Sequence, residues 1–294
     1  MPTKSRQAGF GKRAFYTRGS FAVLEGLQLR PFGEIPAGEL RRLRFILCDI
    51  DDTLTTEGRL TARAYSALEA LDEAGLHVVP ITGRPAGWCD HIARMWPVAG
   101  VVGENGALYF HYDRERRVMQ RRFWLDEQQR AEGRRRLAAL REKILAEVPG
   151  AGIASDQPYR EADLAVDFAE DVGPLPPSDI DRIVALFVAA GAHAKVSSIH
   201  VNGWFGEFDK LAMTRVMMRE VFALDLERER EVCLFIGDSP NDAPMFGFFP
   251  VSVGVANVMD FADRLAAPPA YVTRARAGDG FAEMAEQVLR ARGA

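Results

Sequence analysis

Apolar residues recur in two rhythms along this chain. Unbroken runs such as Phe45-Ile46-Leu47-Cys48 and Cys233-Leu234-Phe235-Ile236 alternate with stretches in which apolar positions return every three or four residues. The first pattern reads as strands buried on both faces and the second as amphipathic helices. From residue 44 the order is a strand in "RFILCDI" and then a helix in "TARAYSALEALDEAG". That helix has Ala64, Leu68 and Leu71 on one face and Gly75 as its stop. A second strand in "LHVVPIT", a helix in "PAGWCDHIARMW" and a short strand in "GVVGENG" follow. The alternation returns with a helix over 211–223, strands in "EVCLFIGD", "VSVGV" and "AYVT", and a helix over 280–292. Strands alternating with helices predict an α/β fold with a parallel sheet covered on both faces.

The middle of the chain has a different order. "LDEQQRAEGRRRLAALREKILAEV" predicts a long charged helix with Leu137, Leu140, Ile144 and Leu145 as its apolar stripe. Strands in "GIASDQ" and "DLAVDFAE", a helix in "PSDIDRIVALFVAAG" and strands in "HAKVSS" and "IHVNGWF" follow. Helix-strand-strand, twice over, predicts a small sheet with two helices on one face. Residues 123–204 are therefore expected to form an α+β domain inserted into a core made of 44–122 and 205–294. Residues 1–43 are expected to be an N-terminal extension, bounded near Arg44 after "RPFGEIPAGEL". No repeat or low-complexity tract stands out.

Composition narrows the function classes. A chain of 294 residues has room for about two domains, and 48% hydrophobic with 27% charged residues is globular. A net charge of -4 gives no ground for expecting nucleic acid or an anionic membrane as partner. Cys48, Cys89 and Cys233 are far apart and show neither a disulfide framework nor zinc-ligand spacing, so a reducing cytoplasm is the expected location. No apolar stretch approaches the ~20 residues of a membrane span. Lys4, Arg6, Lys12, Arg13 and Arg18 occur with no acid before Glu25 and no apolar h-region. That start does not read as a secretory signal; a transit segment and a plain extension both fit it.

The chemistry follows from where the acids fall. In an open parallel sheet, ligands bind beyond the carboxyl ends of the strands. The first strand ends in Asp49 and Asp51, the second in Thr82, Gly83 and Arg84, and a later one in Asp238 with Asn241 and Asp242 beyond it. Lys210 stands at a helix entrance. Carboxylates gathered at one sheet edge repel unless a cation joins them. Oxygen ligands without His or Cys favour a hard ion, Mg²⁺ above others. A cation, a hydroxyl, a helix N-terminus and a lysine together suit a phosphate group. A free carboxylate beside that phosphate can attack phosphorus, and a second carboxyl two residues on can move the protons.

"DIDDTLT", "PITGR", "FDKLAMT" and "FIGDSPNDAPMF", in this order, resemble the four motifs of the haloacid dehalogenase superfamily of phosphatases. "GENGA" at 103–107, the insert after it and "AYVTRARAGDGFAEMAEQVL" resemble subclass IIB, which includes Cof-type, sucrose-phosphate and mannosyl-phosphoglycerate phosphatases. The resemblance runs over roughly residues 44 to 290. It implies a Rossmann-like core with an inserted cap, Mg²⁺ as cofactor and a small phosphorylated metabolite as substrate. It matches Asp49 to the nucleophile and a metal ligand. Asp51 matches the general acid/base, with its carbonyl on the metal. Thr82, Gly83 and Lys210 match the phosphate site. Asp238 matches the second carboxylate ligand, and Asp242 the acid that orients metal-bound water. Arg84, Asn105, Arg160, His200, Asn202 and Asn241 are candidates for contacting the substrate. A phosphomutase of the phosphomannomutase type and a non-catalytic phosphosugar-binding protein remain as alternatives. Two departures from the pattern stand out. Asp52 occupies a position that is commonly Gly in the family. Pro80 lies inside an inner strand, where a bulge is expected.

Overall fold

The structure is a computed structural model that describes residues 23–24 and 27–293; the basic run from Lys4 to Arg18 lies outside them. The first half of the core runs through β1 (Arg30–Pro31), α1 (Ala37–Arg42), β2 (Phe45–Cys48), α2 (Ala62–Glu73), β3 (His77–Pro80), α3 (Ala86–Met95) and β4 (Val101–Gly103). An antiparallel hairpin follows, β5 (Leu108–Asp113) and β6 (Val118–Phe123). The insert comprises α4 (Glu127–Glu147), β7 (Gly152–Ile153), β8 (Asp163–Asp167), α5 (Pro177–Ala189), β9 (His193–Val196) and β10 (His200–Trp204). The chain then returns to the core through α6 (Lys210–Phe222), β11 (Cys233–Gly237), β12 (Val251–Gly254), β13 (Tyr271–Val272) and α7 (Ala277–Arg292).

The core sheet has the order β1-β13-β12-β11-β2-β3, and every pairing in it is parallel. Strand β2 lies inside the sheet, between β11 and β3, and its side chains divide between two apolar layers. Ile46 and Cys48 pack with Leu68, Ile92 and Phe281 on one face, and Phe45 and Leu47 with Met213, Met217 and Phe246 on the other. Burial on both faces is why these runs are continuously apolar. The methionines of α6 are core filler, as a flexible thioether in a helix seam suits.

Three features differ from the sequence expectation. The packed core begins before Arg44, because β1 pairs with β13 and Phe32, Leu40 and Leu43 are buried. The periodicity marks no element between Ala107 and Arg122, yet the β5–β6 hairpin forms there. Most of β6 is exposed, so its residues lack the apolar alternation that announces a strand. Pro80 causes no bulge: the register runs unbroken from Phe45↔His77 to Cys48↔Pro80. The amides of His77 and Ile81 donate to β2, whereas Val78 accepts from Ala99 on the other side. The Pro80 nitrogen shares the Val78 side, away from β2, so no bond of that ladder is lost.

The insert forms one antiparallel sheet, β9-β10-β8-β7, with α4 and α5 on one face. Leu164, Val166 and Val201 face Leu140, Ile144 and Phe187 of those helices. Alternation along β8 and β10 therefore turns Asp163, Asp167, His200 and Asn202 to the opposite face. That polar face meets the carboxyl edge of the core sheet.

Candidate active site

Asp49 extends strand β2 by one rung, its amide donating to the Ile236 carbonyl at 2.9 Å. The chain then turns through three amides, of Thr53, Leu54 and Thr55, that converge on the Ile50 carbonyl. Asp52 takes φ +54°, the left-handed conformation that a glycine would adopt without cost. Its amide is held by Thr55 Oγ1 at 3.2 Å, and an Asp in this region costs about 1–2 kcal/mol. Asp52 thus takes a conformation open to glycine without this cost.

At the base of the cleft, Lys210 Nζ donates to Asp49 Oδ1 at 2.8 Å and to Asp242 Oδ1 at 2.7 Å. Asp209 caps α6 by accepting from the Ala212 amide, which holds Lys210 in the first helical turn. Asp242 Oδ2 accepts from the backbone amides of Asp238 and Ser239 at 3.1 and 3.3 Å. Asp238 receives the Thr53 hydroxyl at 3.1 Å and the Asn257 side-chain amide at 3.5 Å. Asp49, Asp238 and Asp242 offer oxygens within 4.8 Å of one another, all buried. Three carboxylates face one ammonium, a formal charge of −2 in a buried space. Burial pushes Asp49 up to about 8, with Lys210 opposing it and Asp242 and Asp51 adding to it. Burial and the neighbouring Asp49 push Asp238 well up too. This donor set is one positive dication short of neutrality, and hard oxygen ligands are the set that Mg²⁺ takes.

Asp51 is held differently. Arg84 donates to it through Nε and Nη2 at 2.9–3.0 Å. The same guanidinium reaches the insert, bonding Asp156 at 3.2 Å and Glu170 at 2.7 Å. His200 Nε2 lies 2.9 Å from Glu170 Oε2, and this contact together with Arg84 pulls Glu170 down to about 2. Core and insert close around a cavity of about 10 Å³, room for one water, lined by Asp49, Asp51, Gly83, His200, Asn202 and Asn241. A second cavity of about 240 Å³ adjoins it and shares Asp51, Arg84 and Ser198.

The remaining candidates fall into place around this cavity. Thr82 is fully buried, and its Oγ1 accepts from the Arg84 amide at 3.0 Å. Asn105, at φ +53°, packs its side chain on Gly83, and its buried Nδ2 has no partner among the described residues. Asn202 Nδ2 donates to Asp163 at 2.9 Å, and Asn241 Oδ1 accepts from the Ser239 hydroxyl at 2.8 Å. Asn105 does not line the cavity, and neither does Arg160. Its side chain has no exposure and is spent on Asp156, Asp163 and the Gly83 carbonyl.

Sequence reasoning missed Glu104. It is fully buried, and its carboxylate accepts from the amides of Ala86, Glu161 and Ala162 at 2.7–3.0 Å. It thereby ties the insert to the start of α3. Burial, with Asp163 nearby, pushes it up to about 7. Thr53 and Asn257 were missed as well. Thr53 belongs to the motif around Asp49 and was readable there, whereas nothing local marks Glu104 or Asn257.

Residues 46–129 match the family model for haloacid dehalogenase-like hydrolases. That match spans less than a third of the chain, and over most of its length the chain shares its fold with solved phosphatases. Among solved structures it is similar to Thermoplasma acidophilum 0175, with 20% identity, TM-score 0.62, and 84% of this chain and 98% of that one covered. It is also similar to the sucrose-phosphatase from Synechocystis sp. PCC6803 in complex with sucrose and phosphate, at 16% identity, TM-score 0.58, covering 84% and 98%. The subclass IIB sugar phosphatase BT4131 matches at 15% identity, TM-score 0.56, covering 85% and 99%. At these identities the likeness is one of fold. None of the curated proteins matches the chain.

Proposed function

We propose that this protein is a Mg²⁺-dependent phosphatase of a small phosphorylated metabolite, a sugar phosphate or phosphoglycerate-type ester, acting through an aspartyl-phosphate. The observation that carries the reading is Lys210 bridging Asp49 and Asp242, beside Asp238 and two residues from Asp51. Asp49, Asp238, the Asp51 carbonyl and Asp242, the last through water, would hold the ion. When bound, Mg²⁺ would supply positive charge that keeps Asp49 ionised and offsets the negative charge of the phosphate oxygens.

The chain's own residues then divide the work. An oxygen of Asp49 attacks phosphorus, and the bond from phosphorus to the ester oxygen breaks. Asp51 gives its proton to the departing oxygen. A water next attacks the phosphorus of the aspartyl-phosphate, Asp51 takes the water's proton, and Asp49 is released with orthophosphate. Lys210, Thr82 and the Gly83 turn bind the phosphoryl oxygens. Arg84 aims the Asp51 carboxylate, and the closed cavity excludes bulk water. The adjoining 240 Å³ cavity is sized for a small leaving group, such as one sugar ring. The insert over 123–204 acts as the cap that presents Glu170 and Ser198 to that group, and His200 and Asn202 to the smaller cavity beside it.

The test is orthophosphate release with Mg²⁺ across a panel of sugar phosphates, phosphoglycerates and nucleotides. Turnover of at least one monophosphate is expected. Isomer formation with a bisphosphate activator, or tight binding without turnover, would replace the reading with a mutase or a binding protein.

A further inference from the structure

The Arg160 guanidinium belongs to the insert, yet one of its nitrogens donates to a core carbonyl. Nη1 lies 2.8 Å from Gly83 O. The peptide unit that begins at that carbonyl ends at the amide of Arg84, and that amide donates to Thr82 Oγ1 at 3.0 Å. One peptide plane is therefore gripped at both ends, its oxygen by Arg160 and its N–H by Thr82. A hydroxyl that accepts such a bond keeps its own hydrogen free to donate elsewhere. The backbone sets where that hydrogen points, because a rotated peptide would take its N–H away from Oγ1 and leave two buried polar groups unpaired.

Arg160 is itself over-determined. Asp156 takes Nε and Nη2 at 2.9 and 3.2 Å, and Asp163 takes Nη1 at 3.0 Å. The next two residues, Glu161 and Ala162, donate their amides to Glu104 of the core at 2.8 and 2.7 Å. A buried fork held by two carboxylates, on a backbone pinned by a third, keeps the second hydrogen of Nη1 at one place. That place is the Gly83 carbonyl.

We propose that Arg160 is a positioning residue that acts through Thr82. By fixing the Gly83–Arg84 peptide it orients the Thr82 hydroxyl toward the phosphoryl group, so the phosphate site is assembled by core and insert together. This rests on the phosphatase reading above. It gives Arg160 a part in every turnover and none in choosing the leaving group.

The experiment is a double-mutant cycle on kcat/KM, with an aryl phosphate and one sugar phosphate that the enzyme turns over. Arg160→Gln is paired with Thr82→Val and, separately, with Thr82→Ser. A second pair, Arg160→Gln with Asp163→Asn, removes one charge of each sign, so a folding defect from a stranded carboxylate is separated from the effect sought. Thermal melting accompanies each variant. In the wild-type background, Arg160→Gln is expected to lower kcat/KM about 10–100-fold on both substrates, the range for one hydrogen bond to a charged donor. The same change in the Thr82→Val background is expected to cost less than about 3-fold. With Thr82→Ser, which keeps the hydroxyl, the full effect is expected to return. Equal losses in the Val and wild-type backgrounds would overturn the proposal, as would a loss confined to one leaving group. Activity in the wild type with an additive cycle defeats only the role of Arg160. Absence of turnover in the wild type on the whole panel defeats the phosphatase reading beneath it.

Discussion

Removing the cation should turn the acidic cluster into a source of instability that a single neutral substitution relieves. The perturbation is Asp49→Asn, compared with wild type in chelator and in Mg²⁺. In the folded chain without metal, burial holds the Asp49 proton up to about pH 8, even with Lys210 at 2.8 Å. In the unfolded chain an Asp releases it near ~3.9. Between those values the folded state binds more protons, so stability is greatest below about pH 4 and is lost as pH rises toward 8. The slope for one such proton is at most about 1.4 kcal/mol per pH unit. Asn cannot ionise, so the variant lacks that loss. In chelator the two proteins should converge near pH 4–5 and separate above it. By pH 8 the variant should be the more stable, by on the order of 3–5 kcal/mol. Saturating Mg²⁺ should reverse the order, because it neutralises the wild-type cluster and finds one ligand fewer in the variant. Urea unfolding at pH 5, 6, 7 and 8, with and without Mg²⁺, reads both effects. A variant no more stable than wild type at pH 8 in chelator would refute the charge accounting. The same protein should show no turnover, since an amide does not form the acyl-phosphate.

Three further outcomes are expected. Asp51→Asn should lower kcat by about 10²–10⁴ while the melting temperature stays within a few degrees, and undiminished phosphate release would remove Asp51 as proton carrier. Ca²⁺ added at fixed Mg²⁺ should inhibit competitively, because a larger ion that accepts six to eight oxygens can take both oxygens of Asp49. Equal support of initial rates by either ion would contradict that. Gly106→Ala should cost about 2–4 kcal/mol in urea unfolding. A Cβ there would sit 2.0 Å from the Asp209 carbonyl oxygen at φ +107°, and the residue it pushes precedes Lys210. Wild-type stability in that variant would show that the turn can relax.

Much of this was written locally. Runs such as Phe45–Cys48 and Cys233–Gly237 are continuously apolar because both faces are buried, so the parallel core was readable, and so were the acids at its carboxyl edge. The αββαββ order of the insert was readable for the same reason, as each element carries its own period. The sequence alone could also separate Asp49 from an ordinary turn acid, since four motifs in order constrain one another.

The tertiary structure decided what the long polar side chains do. Arg160 and Arg84 look alike in sequence, each a basic residue near a strand. One is buried against Asp156, Asp163 and Gly83, and the other spans Asp51 and Glu170. Their partners lie up to 86 positions away, and Glu104 finds two of its amide donors 57 and 58 positions on. Periodicity reports only which face of its own element a residue occupies. Which donor meets which acceptor across two docked surfaces depends on how those surfaces sit, and a buried group must be satisfied by whatever the docking brings within reach. That is why the clustered carboxylates were legible in the sequence, and why the hold of the insert on the Gly83 turn was not.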